Sequence, residues 1–149
     1  MNKKTISIIL LTAFLITTAL SLTNSFLEDN ATSKNQTGTL IINNKTVHYE
    51  KTGKCVDVID GNTIQIYGVG KVQLNQIGSP KPEAKQFVKD NCLGKTVYLD
   101  IDDKQPEDRY GRIVAIVYTD TIDVNKELLD NGLANVSYFT PSEFKKGEV

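Results

Sequence analysis

Thr52-Gly53-Lys54-Cys55-Val56-Asp57-Val58-Ile59-Asp60-Gly61-Asn62-Thr63-Ile64-Gln65-Ile66-Tyr67 is the stretch whose reading decides the fold. Two runs rich in β-branched residues flank Asp60-Gly61-Asn62. The first, Thr52 to Ile59, alternates as a strand does, and the second, Thr63 to Tyr67, resumes after three residues that favour a tight turn. Gly68-Val69-Gly70 then turns the chain into a third strand, Lys71 to Ile77, apolar at Val72, Leu74 and Ile77. Upstream, Thr39 to Ile42 and Lys45 to Tyr49 bracket Asn43-Asn44. This spacing predicts a small hairpin, because Asn tolerates the positive φ of a two-residue turn.

Downstream, Pro80 and Pro82 introduce a helix from Glu83, with Ala84, Phe87, Val88 and Cys92 at helical spacing and Gly94 beyond its end. Lys95 to Ile101 reads as a fourth strand, and Asp102 to Asp108 as a charged loop. Arg109 to Tyr118 reads as a fifth strand whose near-continuous apolar stretch suits a buried position. A second helix follows, with Asp123 as N-cap, Leu128 and Leu129 facing inward, and Gly132 as its stop. Leu133 to Tyr138 is a short extended piece, and Pro141 to Val149 a loose tail. The predicted class is mainly β with helices (α+β): a hairpin at 38–50, then a five-stranded, partly open OB-fold barrel with two helices over 51–140, and a tail at 141–149.

The N-terminus is read separately. Lys3 and Lys4 precede an apolar run, Ile6 to Leu22, and Glu28 and Asp29 follow it. Positive charge before an apolar core is the pattern of an export signal, and the run also reaches the lower length of a membrane span. Residues 1–25 are therefore a signal peptide or a membrane anchor, and 26–37 a polar tether. Both readings predict an extracytoplasmic domain, secreted or held at the membrane through residues 6–22. There the sequons at Asn30, Asn35, Asn44 and Asn135 are glycan acceptors in pattern. Cys55 and Cys92 are a disulfide candidate, worth about 2–4 kcal/mol if formed, or two buried free thiols. The single histidine, His48, argues against a histidine-based metal site. The chain carries a net charge of −1, which disfavours a polynucleotide partner because such affinity rests on Lys and Arg against phosphates.

Five motifs in order carry a resemblance. Val58-Ile59-Asp60-Gly61-Asn62-Thr63 is similar to V-x-D-G-D-T. Gln73-Leu74-Asn75-Gln76-Ile77-Gly78-Ser79-Pro80 is similar to R-L-x-x-[VI]-D-[TA]-P. Glu83-Ala84 resembles the start of a first helix, Asp108-Arg109-Tyr110-Gly111-Arg112 matches D-[RK]-Y-G-R, and Val124 to Ala134 is similar to V-N-x-x-L-[VL]-x-x-G-[LY]-A. Together they resemble the staphylococcal nuclease (thermonuclease) domain, an OB-fold phosphodiesterase.

That resemblance implies calcium held by two aspartates, a glutamate that positions or deprotonates the attacking water, and two arginines that neutralise the phosphoryl oxygens. In this chain the first aspartate position is Asn62 and the second is Gly78. The first arginine position is Gln73, and the glutamate position is Lys81. Arg112 alone is retained, as a phosphate ligand or as a structural partner of Asp108, and Asp60 stands at the edge of the metal position. A shortened segment offers Glu83 as a displaced base. The expectation is an exported binding module without efficient nuclease activity and without a cofactor. The alternative is a weak calcium-dependent nuclease, a hydrolase of DNA or RNA, with Asp60 and Asn62 as metal ligands and Glu83 as base. A third reading is a purely structural domain at the cell surface.

Overall fold

The computed structural model describes residues 37–149. The segment read as a signal peptide or membrane anchor, residues 1–25, and the predicted tether at 26–37, except for Thr37, lie outside them.

The expected hairpin forms first. β1 (Gly38–Ile42) and β2 (Lys45–Tyr49) pair antiparallel in register Ile42↔Lys45. Asn43 and Asn44 take φ of 50° and 62°, the two positive values that a twisted two-residue turn needs.

β3 (Lys51–Asp60), β4 (Thr63–Ile66), β5 (Gly70–Leu74), β7 (Thr96–Ile101) and β8 (Ile113–Tyr118) then close a barrel in the order β3-β4-β5-β8-β7. Closure depends on β3, which serves two neighbours. Lys51 to Lys54 pair with β7, and Cys55 to Asp60 pair with β4 through two register shifts that bend the strand. β5 and β8 run parallel, Val72 beside Ile113, and complete the ring. The barrel is thus closed where the sequence predicts one partly open, because one long bent strand supplies both edges.

α1 (Pro82–Cys92) and α2 (Val124–Asp130) pack on the barrel. Proline opens α1 in its first turn, where its missing N–H is no loss, and Asp123 caps α2 by accepting the Lys126 N–H. The inner core gathers Val58, Ile64, Ile66, Val72, Leu74, Val97, Leu99 and Val117 from the strands with Ala84, Val88, Val124 and Leu128 from the helices, all fully buried. Each such aliphatic side chain removed from water is worth about 1.5–3 kcal/mol.

Cys55 and Cys92 belong to this core as free thiols, so the candidate disulfide is not formed. Burial pushes Cys55 up to about 11 and Cys92 up to about 12, which keeps both as neutral thiols.

Two strand boundaries and the tail differ from the sequence reading. β5 stops at Leu74, because Asn75 and Gln76 turn the chain, with Gln76 at φ 62°. Ile77 therefore falls in β6 (Ile77–Gly78), which pairs with β9 (Asn135–Val136) in a separate sheet. β8 starts at Ile113 rather than Arg109, because the Asp108 carboxylate accepts the N–H groups of Tyr110 and Arg112 and folds 108–112 into a tight turn. The tail is not loose. Phe144 and Val149 join a second apolar cluster with Ile42, Val47, Ile116 and Tyr118, outside the barrel wall. Gln76 fixes the same segment by donating to the Lys145 carbonyl at 2.8 Å and accepting the Gly147 N–H at 2.7 Å.

Candidate functional site

The barrel mouth carries a cavity of about 550 Å³. Three segments wall it: Asn62 from the β3–β4 turn, Gln73 and Leu74 from β5 with the corner that follows, and the β7–β8 loop from Asp102 to Arg112. A fourth wall comes from Ser137 and Phe139 to Pro141. The first and third of these are the loops that OB barrels present to ligands.

The β3–β4 turn is positioned by sterics and by a local hydrogen bond. A Cβ on Gly61 would meet both Pro80 and the Ala84 Cβ at 2.7 Å, so only glycine lets the turn lie against the start of α1. One oxygen of the Asp60 carboxylate accepts the Asn62 N–H at 2.9 Å and so closes the turn. The Asn62 side chain points across the mouth, donating to the Ile77 carbonyl at 2.8 Å and accepting from the Thr63 hydroxyl at 3.2 Å. Gln73 donates to the Leu74 carbonyl at 3.2 Å. Neutral amides thus cross-link the turn, β5 and the corner before β6.

The corner itself hangs on Asn125 of α2. This fully buried amide donates to the Asn75 carbonyl at 2.9 Å and accepts the Val117 N–H at 3.0 Å. Both ends of a buried polar group are satisfied, as burial demands. At the corner's far end, a Cβ on Gly78 would stand 2.4 Å from the Ser137 Cβ. The β6–β9 pairing holds Ser137 there, so residue 78 has no room for a larger side chain without moving that strand.

Arg112 reaches into the cavity from the β7–β8 loop. Its Nε donates to Asp108 at 2.7 Å, one guanidinium NH2 donates to the Thr63 hydroxyl at 2.9 Å, and the group lies 5.4 Å from the Tyr110 ring centre. Burial alone would raise the Asp108 pKa. The Arg112 N–H, the guanidinium and the Tyr110 N–H outweigh it and hold the carboxyl below its usual range. Asp102, at the loop's other end, is likewise pulled up by burial but held low overall by the Ser142 hydroxyl and the N–H groups of Glu143, Lys104 and Gln105. Both cavity carboxylates are therefore ionised and fully engaged.

Of the residues singled out in sequence, Asn62, Gln73, Gly78 and Arg112 come together on the cavity wall. Asp60, Lys81 and Glu83 do not line it. Lys81 is the exposed residue before α1, tied by its N–H to the Leu133 carbonyl at 2.8 Å, and Glu83 is exposed in the first turn of α1. Among the described residues no three His, Cys, Asp or Glu side chains converge as a metal site. Sequence reasoning missed Asn75, Gln76 and Gln105, and it missed the wall formed by residues 137–141. Asn75, Gln76, Arg109 and Tyr110 lay inside quoted motifs, whereas nothing local marks Phe139, which is brought to the mouth from beyond α2.

Comparison with known proteins gives the same picture. A family described as staphylococcal nuclease homologue matches residues 78–149. A thermonuclease of Staphylococcus hyicus is 35% identical over 108 residues, covering 62% of this chain and 63% of its own. An uncharacterized protein of Bacillus anthracis is 30% identical over 106 residues, covering 60% of this chain and 50% of its own. The chain thus spans between half and two thirds of the length of these relatives. Barrel, motifs and relatives agree: residues 78–149 match the staphylococcal nuclease homologues, and the chain is similar to a thermonuclease.

Proposed function

We propose that the domain is a binding module without efficient nuclease activity, carried by a chain that leaves the cytoplasm as a secreted or membrane-anchored protein. The observation that carries the reading is the Asn62–Ile77 hydrogen bond. An amide nitrogen faces a carbonyl across the mouth where the family's chemistry requires an anionic oxygen facing a cation.

The rest of the wall supports it. Calcium prefers charged oxygen ligands, yet residue 78 has no side chain and no space for one, and the Asp60 carboxylate does not line the cavity. These residues do not fit the metal. Gln73 cannot provide the charged two-point clamp that an arginine gives a phosphoryl group. Glu83, the displaced base of the alternative reading, stands outside the cavity. Each lost charged partner costs a few kcal/mol of transition-state stabilisation, with about 1.36 kcal/mol per factor of ten in rate. The lysine pair before an apolar run supports export, and the small net charge of −1 gives no general pull on a polynucleotide.

One observation favours the alternative of a weak calcium-dependent nuclease: Arg112 is retained and points into the cavity. A fluorogenic single-stranded DNA cleavage assay on the full chain separates the two. The expected result is no cleavage above the buffer blank with calcium, with chelator, or with Arg112→Ala. Cleavage that requires both calcium and Arg112 would sink the binding-module reading.

A further inference from the structure

We propose that the cavity binds a neutral oligosaccharide, with sugar hydroxyls on the amides of Asn62, Gln73 and Gln105 and a pyranose face on the exposed ring of Phe139. This rests on the non-catalytic reading above and adds the ligand class to it.

Charge selects the class. The ionised groups on the wall are Asp102, Asp108, Arg109 and Arg112, two of each sign, and the strongest pairing, Arg112 with Asp108 at 2.7 Å, is internal. A phosphate chain gains affinity by replacing its counterions with free Lys and Arg, and this wall has no cationic excess to offer. A neutral ligand loses nothing by that balance.

Hydrogen-bonding capacity points the same way. A primary amide presents two donor hydrogens and a carbonyl acceptor, and a sugar hydroxyl likewise donates and accepts. Asn62 uses one donor on the Ile77 carbonyl and keeps the other, and Gln105 stands on the same wall. Gln73 donates to the Leu74 and Ile77 carbonyls at 3.2 and 3.5 Å, so it offers a ligand the acceptor side of its amide. The amides are also pre-positioned, since Asn62 is clamped by Ile77 and Thr63 and the corner by Asn125, so little side-chain freedom is lost on binding.

The rim supplies the apolar surface. Phe139 lines the cavity yet is 70% exposed, and Tyr110 is 68% exposed with Arg109 and Arg112 held over its ring at 4.9 and 5.4 Å. Tyr110 thus has two guanidinium groups against its ring, and Phe139 is the aromatic ring of the wall without one. The C–H face of a pyranose is the surface that covers such a ring while its hydroxyls stay at the edge. At about 550 Å³ the space is within the ordinary range for ligand sites, about 300–1,000 Å³, and it lies on the barrel face that OB folds use for oligosaccharides.

The test is a titration of the ¹⁵N-labelled full chain with chitohexaose, cellohexaose and maltohexaose, and separately with a thymidine hexanucleotide, at physiological salt. The side-chain amide signals of Asn62, Gln73 and Gln105 are the readout. Saturable shifts of these signals with at least one sugar are expected, and Phe139→Ala is expected to weaken that affinity by up to about tenfold. Because Phe139 is exposed, this variant folds, and an unchanged backbone spectrum verifies it. Silence toward all three sugars at millimolar concentration overturns the inference, as does binding of the hexanucleotide alone. Silence combined with no DNA cleavage removes only the ligand class, whereas calcium- and Arg112-dependent cleavage removes the reading beneath it.

Discussion

Two apolar clusters hold this domain, and they are assembled in different ways. The inner core is built by strand alternation: in β4, Ile64 and Ile66 point in while Gln65 between them is only half-buried. The outer cluster is built by the two ends of the described chain, Ile42 and Val47 from the hairpin and Phe144 and Val149 from the C-terminus, meeting on Ile116 and Tyr118 of β8. β8 is thus apolar on both faces, Ala115 and Val117 inward and Ile116 outward. The difference teaches that the barrel specifies itself locally, whereas its outer seam exists only once the barrel has brought distant segments together.

The largest expected effect lies in the inner core. Ile64→Ala removes a fully buried side chain and should destabilise the domain by about 2–5 kcal/mol in urea denaturation, in a single cooperative transition. A loss under 1 kcal/mol would show that the barrel interior is loosely packed and that the contrast between the clusters is empty.

Next comes Asn125→Ala. It strips the donor from the Asn75 carbonyl and the acceptor from the Val117 N–H, both buried, at about 1–3 kcal/mol. It should also broaden the side-chain amide signals of Gln73 and Gln76, because the corner loses its support. A stability loss with sharp, unmoved amide signals would show that the corner is held independently of α2.

Much of this was legible in the sequence, and the reasons it was legible mark where it stopped. The hairpin turn, both helices and the five barrel strands follow from Asn-Asn, Pro-Glu, Asp123 and β-branched alternation, all of them local signals. The motif residues Asn62, Gln73, Gly78 and Arg112 also meet as the spacing implies. The end of β5 at Leu74 did not follow, because the Asn75–Gln76 turn is imposed by hydrogen bonds from Asn125 and to the 145–147 segment. The docked tail and the Phe139 wall were unreadable for the same reason, since their partners lie far away along the chain. The exclusion of a side chain at residue 78 is a contact with Ser137 that no local pattern announces.

Beside the outer seam, Asp100 of β7 pairs with Ile116 and carries a pH-sensitive carboxyl. Burial lifts Asp100 to about 7, reinforced by Glu50, Glu143, Asp103 and Asp102 around it. A carboxyl raised in the folded state binds its proton more tightly there than in the unfolded chain, where it titrates near 3.8. Its contribution is therefore fully present below that value and is lost as pH rises toward about 7. Asp100→Asn keeps the neutral form, so it should be more stable than the parent at pH 8 by on the order of 1–2 kcal/mol, after allowance for partial exposure, with little difference at pH 4. Thermal denaturation at both pH values measures this, and equal midpoint shifts at both would show that Asp100 does not titrate in that range.

Two neighbours in β1, one of them with the smallest expected effect of all, give the sharpest test of how the seam is put together. In β1, Ile42 is 4% exposed against the barrel wall, while its neighbour Ile41 is 73% exposed. Successive strand residues point to opposite faces, so a one-residue slip of the hairpin would exchange the two. Ile42→Ser should therefore cost about 1–3 kcal/mol, and Ile41→Ser should stay within about 0.5 kcal/mol. The pair controls for propensity, since both substitutions are Ile to Ser in one strand. Equal large losses would mean that Ile41 is covered in solution by another molecule or a membrane surface. Equal small losses would mean that the hairpin contributes nothing to the seam, leaving Ile116 and Tyr118 to be covered by the C-terminal segment alone.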